Sequence, residues 1–226
     1  MPRFDVPPYR LSGAVYGTLV NHLAVLAGLG AAVNLPPYKA PPRSVVLYIK
    51  PGNTLVAPGQ AIIVDALAPE LEAGAALGIV IGRTACAVSE GDALDHVAGF
   101  IIAADFSVSH EVYFRPSIRF KARDASLALG PVVVPREEVD DPDALAVRVF
   151  VDGRLVQEAS TGERIRGAAR LIADVSEFMT LAPGDILLTG IAPGAPPVGA
   201  GATVGDEIDG LGRLDVRVAG ELELAA

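Results

Sequence analysis

Two acidic side chains separated by one residue, Glu70 and Glu72, form the simplest chemical pattern in the chain. On an extended backbone alternate side chains share a face, so this pair can present two carboxylates together. A hard dication such as Mg²⁺ takes ligands of that kind, in numbers sufficient to displace its water. The competing reading is two solvated carboxylates on a loop. Cationic groups occur downstream at Arg115, Arg119, Lys121 and Arg123, followed by Asp124. Arg115 and Arg119 suit bidentate capture of a carboxylate, or ordinary surface pairing. Lys121 can meet an anionic ligand or pair with Asp105 or Asp124. His22, His96 and His110 have no partner pattern: the first reads as structural, the others as surface or helix-end groups.

These groups sit in a chain of 226 residues with a formal net charge of −9. That balance repels a phosphate backbone, so nucleic acid is an unexpected partner, and an anionic substrate needs a local cluster of cations. Half the residues are apolar and a fifth are charged, the composition of one globular domain. A single cysteine, Cys86, excludes an internal disulfide framework and points to a reducing, cytoplasmic compartment. Arg3 and Arg10 precede an apolar stretch from Leu11 to Val33, which could pass for a signal peptide or membrane span. Asn21, His22 and four glycines interrupt it, so a strand over 13–20 followed by a short helix is the better reading.

The 24 glycines and 18 prolines call for many tight turns between short strands. The proline-rich piece over 35–42 reads as an extended connector. Strands are expected over 44–49, 77–82, 97–106, 147–151, 154–156, 185–189, 203–209 and 213–218. Asp152-Gly153 between alternating runs predicts a hairpin. Ser89 and Asp92 suit a helix start. Thr161 suits the cap of a further helix, whose apolar face is Leu171, Ile172, Val175, Phe178 and Met179. The result is a mostly β protein with short helices, with 1–43 as an N-terminal strand, helix and connector and 44–226 as the core of one structural domain.

Several segments, in order, resemble the fumarylacetoacetate hydrolase superfamily: Ile49-Lys50-Pro51-Gly52-Asn53-Thr54, 97–107, Phe120-Lys121-Ala122-Arg123-Asp124, 176–190 and Gly210-Leu211-Gly212-Arg213-Leu214. Tyr38-Lys39-Ala40-Pro41-Pro42 and Tyr113-Phe114-Arg115-Pro116-Ser117-Ile118 resemble the N-terminal half of its bifunctional decarboxylase/isomerases of homoprotocatechuate (4-hydroxyphenylacetate) breakdown. Those enzymes act on 5-carboxymethyl-2-oxo-hex-3-ene-1,7-dioate and 2-hydroxyhepta-2,4-diene-1,7-dioate. The resemblance implies a β-roll of mixed sheets, usually dimeric, with the active site at its mouth. It also implies Mg²⁺ or Mn²⁺ held by carboxylates and chelated by a 2-oxo dicarboxylate, the metal stabilising an enolate.

Carried over residue by residue, the resemblance places Asp105 at a metal-ligand position and makes Asp105 and Lys121 the catalytic candidates. Arg115, Arg123, Thr189 and Gly190 become the substrate-binding candidates. The other two ligand positions, a Glu-x-Glu pair in the family, fall on Gly74 and Ala76, with Glu70 and Glu72 four residues too early to substitute readily. The family's acid–base His and Glu fall on Val25 and Gly28, and a hydroxyl-bearing position falls on Ile191. The implied protein is a subunit of the decarboxylase/isomerase with a degenerate metal site and weak or absent metal, working as a homodimer or beside a metal-competent sister subunit. The alternatives are a non-catalytic scaffold or a metal-free enzyme dependent on Lys121.

Overall fold

The computed structural model describes residues 13–110, 113 and 117–221. Among these, twelve strands make two sheets. The larger sheet contains β1 (Val15–Leu19), β2 (Val46–Lys50), β4 (Glu70–Ile81), β5 (Val97–Ser107), β6 (Leu127–Pro135), β9 (Ile186–Leu188) and β10 (Pro197–Gly199). Its order is β2-β1-β9-β4-β5-β6, with β10 also paired to β4. The smaller sheet runs β3 (Ile62–Val64), β12 (Gly212–Gly220), β11 (Thr203–Ile208), β7 (Ala146–Val151) and β8 (Arg154–Ser160). Both sheets mix parallel and antiparallel pairs: β1 runs parallel to β9, and β12 parallel to β3. The mostly β expectation holds.

Strand β4 begins at Glu70, seven residues before the expected 77. Its first half, Glu70-Leu71-Glu72-Ala73-Gly74-Ala75-Ala76, has little β propensity of its own. Pairing to β5 on one side and to β10 on the other holds it extended. Alternation then divides its side chains. Leu71, Ala73, Ala75, Leu77 and Ile79 enter the main core between the sheets, with Phe100, Ile102 and Phe106 of β5 and Val149, Val204 and Ile208 of the smaller sheet. Ala76 and Val80 face the other way, into a second cluster with Val15, Ile101, Ala103 and Leu188. A strand buried on both faces reads as a continuous apolar run, which is why only its second half is conspicuous in the sequence.

Among the described residues there are three α-helices, α1 (Leu23–Gly28), α2 (Ile118–Lys121) and α3 (Ala168–Ser176). The Asp152-Gly153 hairpin forms as expected, with both residues at positive φ (49° and 78°). Thr161 does not cap the helix. Ser160 caps a 3-10 turn over Thr161–Glu163 through a capping box, and the Thr161 hydroxyl accepts instead from the Leu145 N–H at 2.8 Å. Helix α3 starts later, and the Asp143 carboxylate accepts from the Ala168 N–H at 2.9 Å. Leu171, Ile172 and Val175 are buried, but Phe178 lies past the helix end and is exposed. No helix among the described residues is long and apolar enough to cross a membrane. Arg3, Arg10 and Leu11 lie outside the described residues.

Candidate functional site

The N-terminal half of β4 and the C-terminal end of β5 meet at a cleft of about 670 Å³. Register sets what each strand contributes. Ala76 faces Ala103, Gly74 faces Asp105, and Glu72 faces Ser107, three pairs in succession on one face of the sheet. Ala76 is sealed in the second apolar cluster. Gly74, Glu72 and Ser107 line the cleft. Glu70 and Glu72 are part of β4 itself, so extended backbone carries them outward from Gly74 rather than folding them back over it. At about 3.3 Å per residue, Glu72 stands roughly 7 Å along the strand from Gly74.

Asp105 is fully buried and sits between two lysines. Lys50 Nζ lies 2.7 Å from Oδ1, and Lys121 Nζ lies 3.4 Å from Oδ2. The Tyr48 hydroxyl donates to Oδ2 as well. Burial alone would raise the Asp105 pKa, but Lys121 and then Lys50 outweigh it and hold the carboxyl below its usual range. Burial pulls the Lys50 ammonium down to about 8, against the raising effect of Asp105. The same burial, reinforced by Asp105, drives the Tyr48 phenol well above 10, so it remains a donor.

The two lysines differ in what else they touch. Lys50 also donates to the Phe106 carbonyl at 2.8 Å and to Ser126 O and Oγ at 3.2 and 3.1 Å, which uses all its protons. Among the described residues, Lys121, at the end of α2, has the longer contact to Asp105 and the face of the Tyr48 ring, 4.8 Å to the centroid. It lines the cleft. Two cations on one carboxylate leave a unit of positive charge at the cleft wall. Glu72 is the acidic group that also lines it, further out along the strand.

A close approach between strands holds this arrangement. Tyr48 faces Gly17 directly across β1 and β2, and a Cβ on Gly17 would collide with the phenol ring. The missing side chain lets Tyr48 lie flat across β1 and reach Asp105. On the opposite wall, Ile191 packs over Gly74, where an added Cβ would come within 2.5 Å of Ile191 Cδ1. The Asn21 amide donates to the Thr189 and Arg166 carbonyls at 2.9 and 3.1 Å, tying the end of β1 to the loop that carries Ile191.

The remaining expected site residues are distributed as follows. The buried Thr189 hydroxyl donates to the Leu77 carbonyl at 3.1 Å, turned into the sheet. Gly190 follows at φ +107°, beside Thr18. Neither lines the cleft. Arg123 pairs with Asp65, and Asp124 accepts from the Asn53 amide. Arg119 is exposed, and Arg115 lies outside the described residues. Val25 and Gly28 do face the cleft. His22 does not: its Nδ1 accepts from the Ala24 N–H at the start of α1 and its Nε2 faces Glu163 at 3.3 Å, a structural role. His110, read from sequence as a surface or helix-end group, is half-buried, lines the cleft and stacks on Phe120. Lys50 and Tyr48 were visible in sequence only as part of a strand and a motif. The available signal was a Lys two residues after a Tyr in one strand, on the face that register turns inward.

The fold and the cleft define the class of protein. The family model described as fumarylacetoacetate (FAA) hydrolase C-terminal matches residues 14–219, and the chain belongs to that family. Over 183 residues it is 38% identical to the 4-hydroxyphenylacetate degradation bifunctional isomerase/decarboxylase of Escherichia coli, a match covering 80% of this chain and 43% of that protein. The chain therefore spans less than half the length of that relative. Among solved structures, 5-carboxymethyl-2-hydroxymuconate delta-isomerase from Mycobacterium smegmatis superposes with a TM-score of 0.78 at 28% identity, covering 93% of this chain and 80% of that one. Fumarylpyruvate hydrolase from Pseudomonas aeruginosa, solved with Mn²⁺ and pyruvate, gives 0.76 at 26% identity, covering 92% and 90%.

Proposed function

We propose that this chain is a subunit of a homoprotocatechuate-type decarboxylase/isomerase, working beside a metal-competent sister subunit, and that its own cleft takes 2-oxo dicarboxylates without a metal. The observation that carries this reading is the Lys50–Asp105–Lys121 cluster. A dication needs several oxygen ligands at once. Here the family's ligand positions supply one carboxylate, both of whose oxygens face ammonium groups. Gly74 and Ala76 supply none, and Ile191 fills the space over Gly74. That donor set does not suit Mg²⁺ or Mn²⁺, so no step is routed through one.

The same cluster is suited to an anion. Lys121 lines the cleft with a single hydrogen bond among the described residues, and its charge would stabilise the oxygen of a 2-oxo acid as that oxygen becomes an enolate. Oxalate, a mimic of the 2-oxo-carboxylate group, provides the test. At 100 times its Kd it adds about 2.7 kcal/mol of stability, which raises the unfolding midpoint roughly 5–10 °C for a chain of this size. The expected result is a shift that needs no metal, survives EDTA and disappears in Lys121→Met. A shift seen only with Mn²⁺, or one unchanged in Lys121→Met, would overturn the reading.

A further inference from the structure

The Nε2 atom of His110 is buried and has no hydrogen-bond partner among the described residues. The other ring nitrogen, Nδ1, lies 3.0 Å from the Val108 carbonyl. A carbonyl can only accept, so Nδ1 carries the proton of the neutral ring and Nε2 is left with a bare lone pair. The ring's position is fixed from two sides. It stacks on Phe120, with centroids 4.8 Å apart and planes 10° from parallel, and meets Tyr113 edge-on at 5.5 Å. The Val108 N–H donates to the Phe120 carbonyl at 3.0 Å, which clamps the His110 segment to α2, the helix that ends in Lys121. Both His110 and Lys121 line the cleft. Unpaired buried acceptors are rare in native proteins, and one in a side chain that lines a cleft, with its tautomer set, calls for a ligand or a chemical role.

We propose that His110 is the proton-transfer residue of this cleft, its Nε2 taking and returning a carbon-bound proton of a 2-oxo dicarboxylate whose oxygen faces Lys121. The assignment rests on the reading of the cleft as a 2-oxo acid site. In the step, the C3–H bond of the oxo acid breaks and the proton goes to Nε2. The bonding pair becomes the C2=C3 double bond, and the carbonyl π pair moves onto oxygen, where Lys121 offsets the new charge. The imidazolium then returns a proton to carbon, at C3 or, in a conjugated substrate, at the far end of the dienolate. No oxidant or co-reactant is needed. Val25 and Gly28, which also face the cleft, cannot carry a proton, whereas the His110 imidazole can.

The experiment is deuterium exchange at C3 of 2-oxoglutarate in D2O, followed by proton NMR with the full chain, beside the oxalate-induced unfolding shift. Wild-type protein should accelerate exchange. His110→Asn should slow it by about 100-fold or more while keeping the oxalate shift. His110→Gly should regain activity when imidazole is added, a response no structural role would give. Exchange in His110→Asn within about threefold of wild type, or wild type that binds oxalate without exchanging, would overturn the His110 assignment and leave the Lys121 site standing. Loss of both exchange and oxalate binding in His110→Asn, without imidazole rescue of His110→Gly, would reduce the residue to packing and also overturn it. Wild type that neither binds oxalate nor exchanges would overturn both readings.

Discussion

Asp206→Val is expected to make the protein more stable at pH 7, by about 3–5 kcal/mol. Asp206 lies on β11 between Val204 and Ile208, on the face turned into the main core, opposite Val149 of β7 and Leu214 of β12. It is 1% exposed, and neither carboxyl oxygen has a hydrogen-bond partner among the described residues. Burial, then Asp215, push its pKa up to about 8, with Arg213 opposing. Between pH 4 and 8 the folded chain therefore holds a proton that the unfolded chain, with an ordinary carboxyl near 3.8, has released. Stability from this group is complete below the unfolded pKa, falls as pH rises, and is gone above the folded one. At pH 7 the difference is 7 − 3.8 = 3.2 pH units, roughly 4 kcal/mol at 1.36 kcal/mol per unit. Valine fits the neighbouring side chains and removes the linkage. Urea unfolding at pH 4.5 and 7.5 is the check. A variant advantage that is absent at pH 7.5, or equal at both values, would sink this account.

Lys50→Met acts in the opposite direction and by a similar amount. Removing one partner of a buried ion pair leaves the other charge without compensation, at a cost of about 3–5 kcal/mol. Lys50 has a fully buried side chain, contacts Asp105 at 2.7 Å and donates to the carbonyls of Phe106 and Ser126. Lys121 cannot take over all of this, because it approaches from the cleft side and reaches only Oδ2. Replacing both charges, in Lys50→Met with Asp105→Leu, should recover at least half of the loss, since a well-packed apolar pair can match a buried ionic one. The comparison is of denaturant midpoints at constant slope. A single-mutant loss below about 1 kcal/mol would show that Lys121 and Tyr48 alone satisfy Asp105.

The strands legible in the sequence were those whose alternation or β-branched content is local, such as β5 and the β7–β8 hairpin. The first half of β4 was not, because glycine and alanine carry no pattern and only pairing with β5 and β10 makes them a strand. At the site, the nearness of Asp105 and Lys121 could be anticipated. The part played by Lys50 could not, since its partner lies 55 residues away and a lysine in a strand normally faces water. His110 gave no signal, because its role depends on the ring of Phe120 and the carbonyl of Val108, neither of which a spacing rule detects. Asp206 does leave a trace in the sequence: it shares the alternation of Val204 and Ile208, which implies an inward carboxyl.

The contact between Gly74 and Ile191 limits what position 74 can hold. A Cβ at position 74 would stand 2.5 Å from Ile191 Cδ1, so Ile191 has to shift and Gly74→Glu alone should cost about 1–3 kcal/mol from overpacking. The same change after Ile191→Ala should cost much less, a difference that a double-mutant cycle reads directly. Position 76 is enclosed as well, among Val15, Val80, Ile101 and Ala103. An acidic side chain added at either position therefore meets occupied space before it can meet a ligand, and the polar chemistry of this cleft is supplied from its other walls.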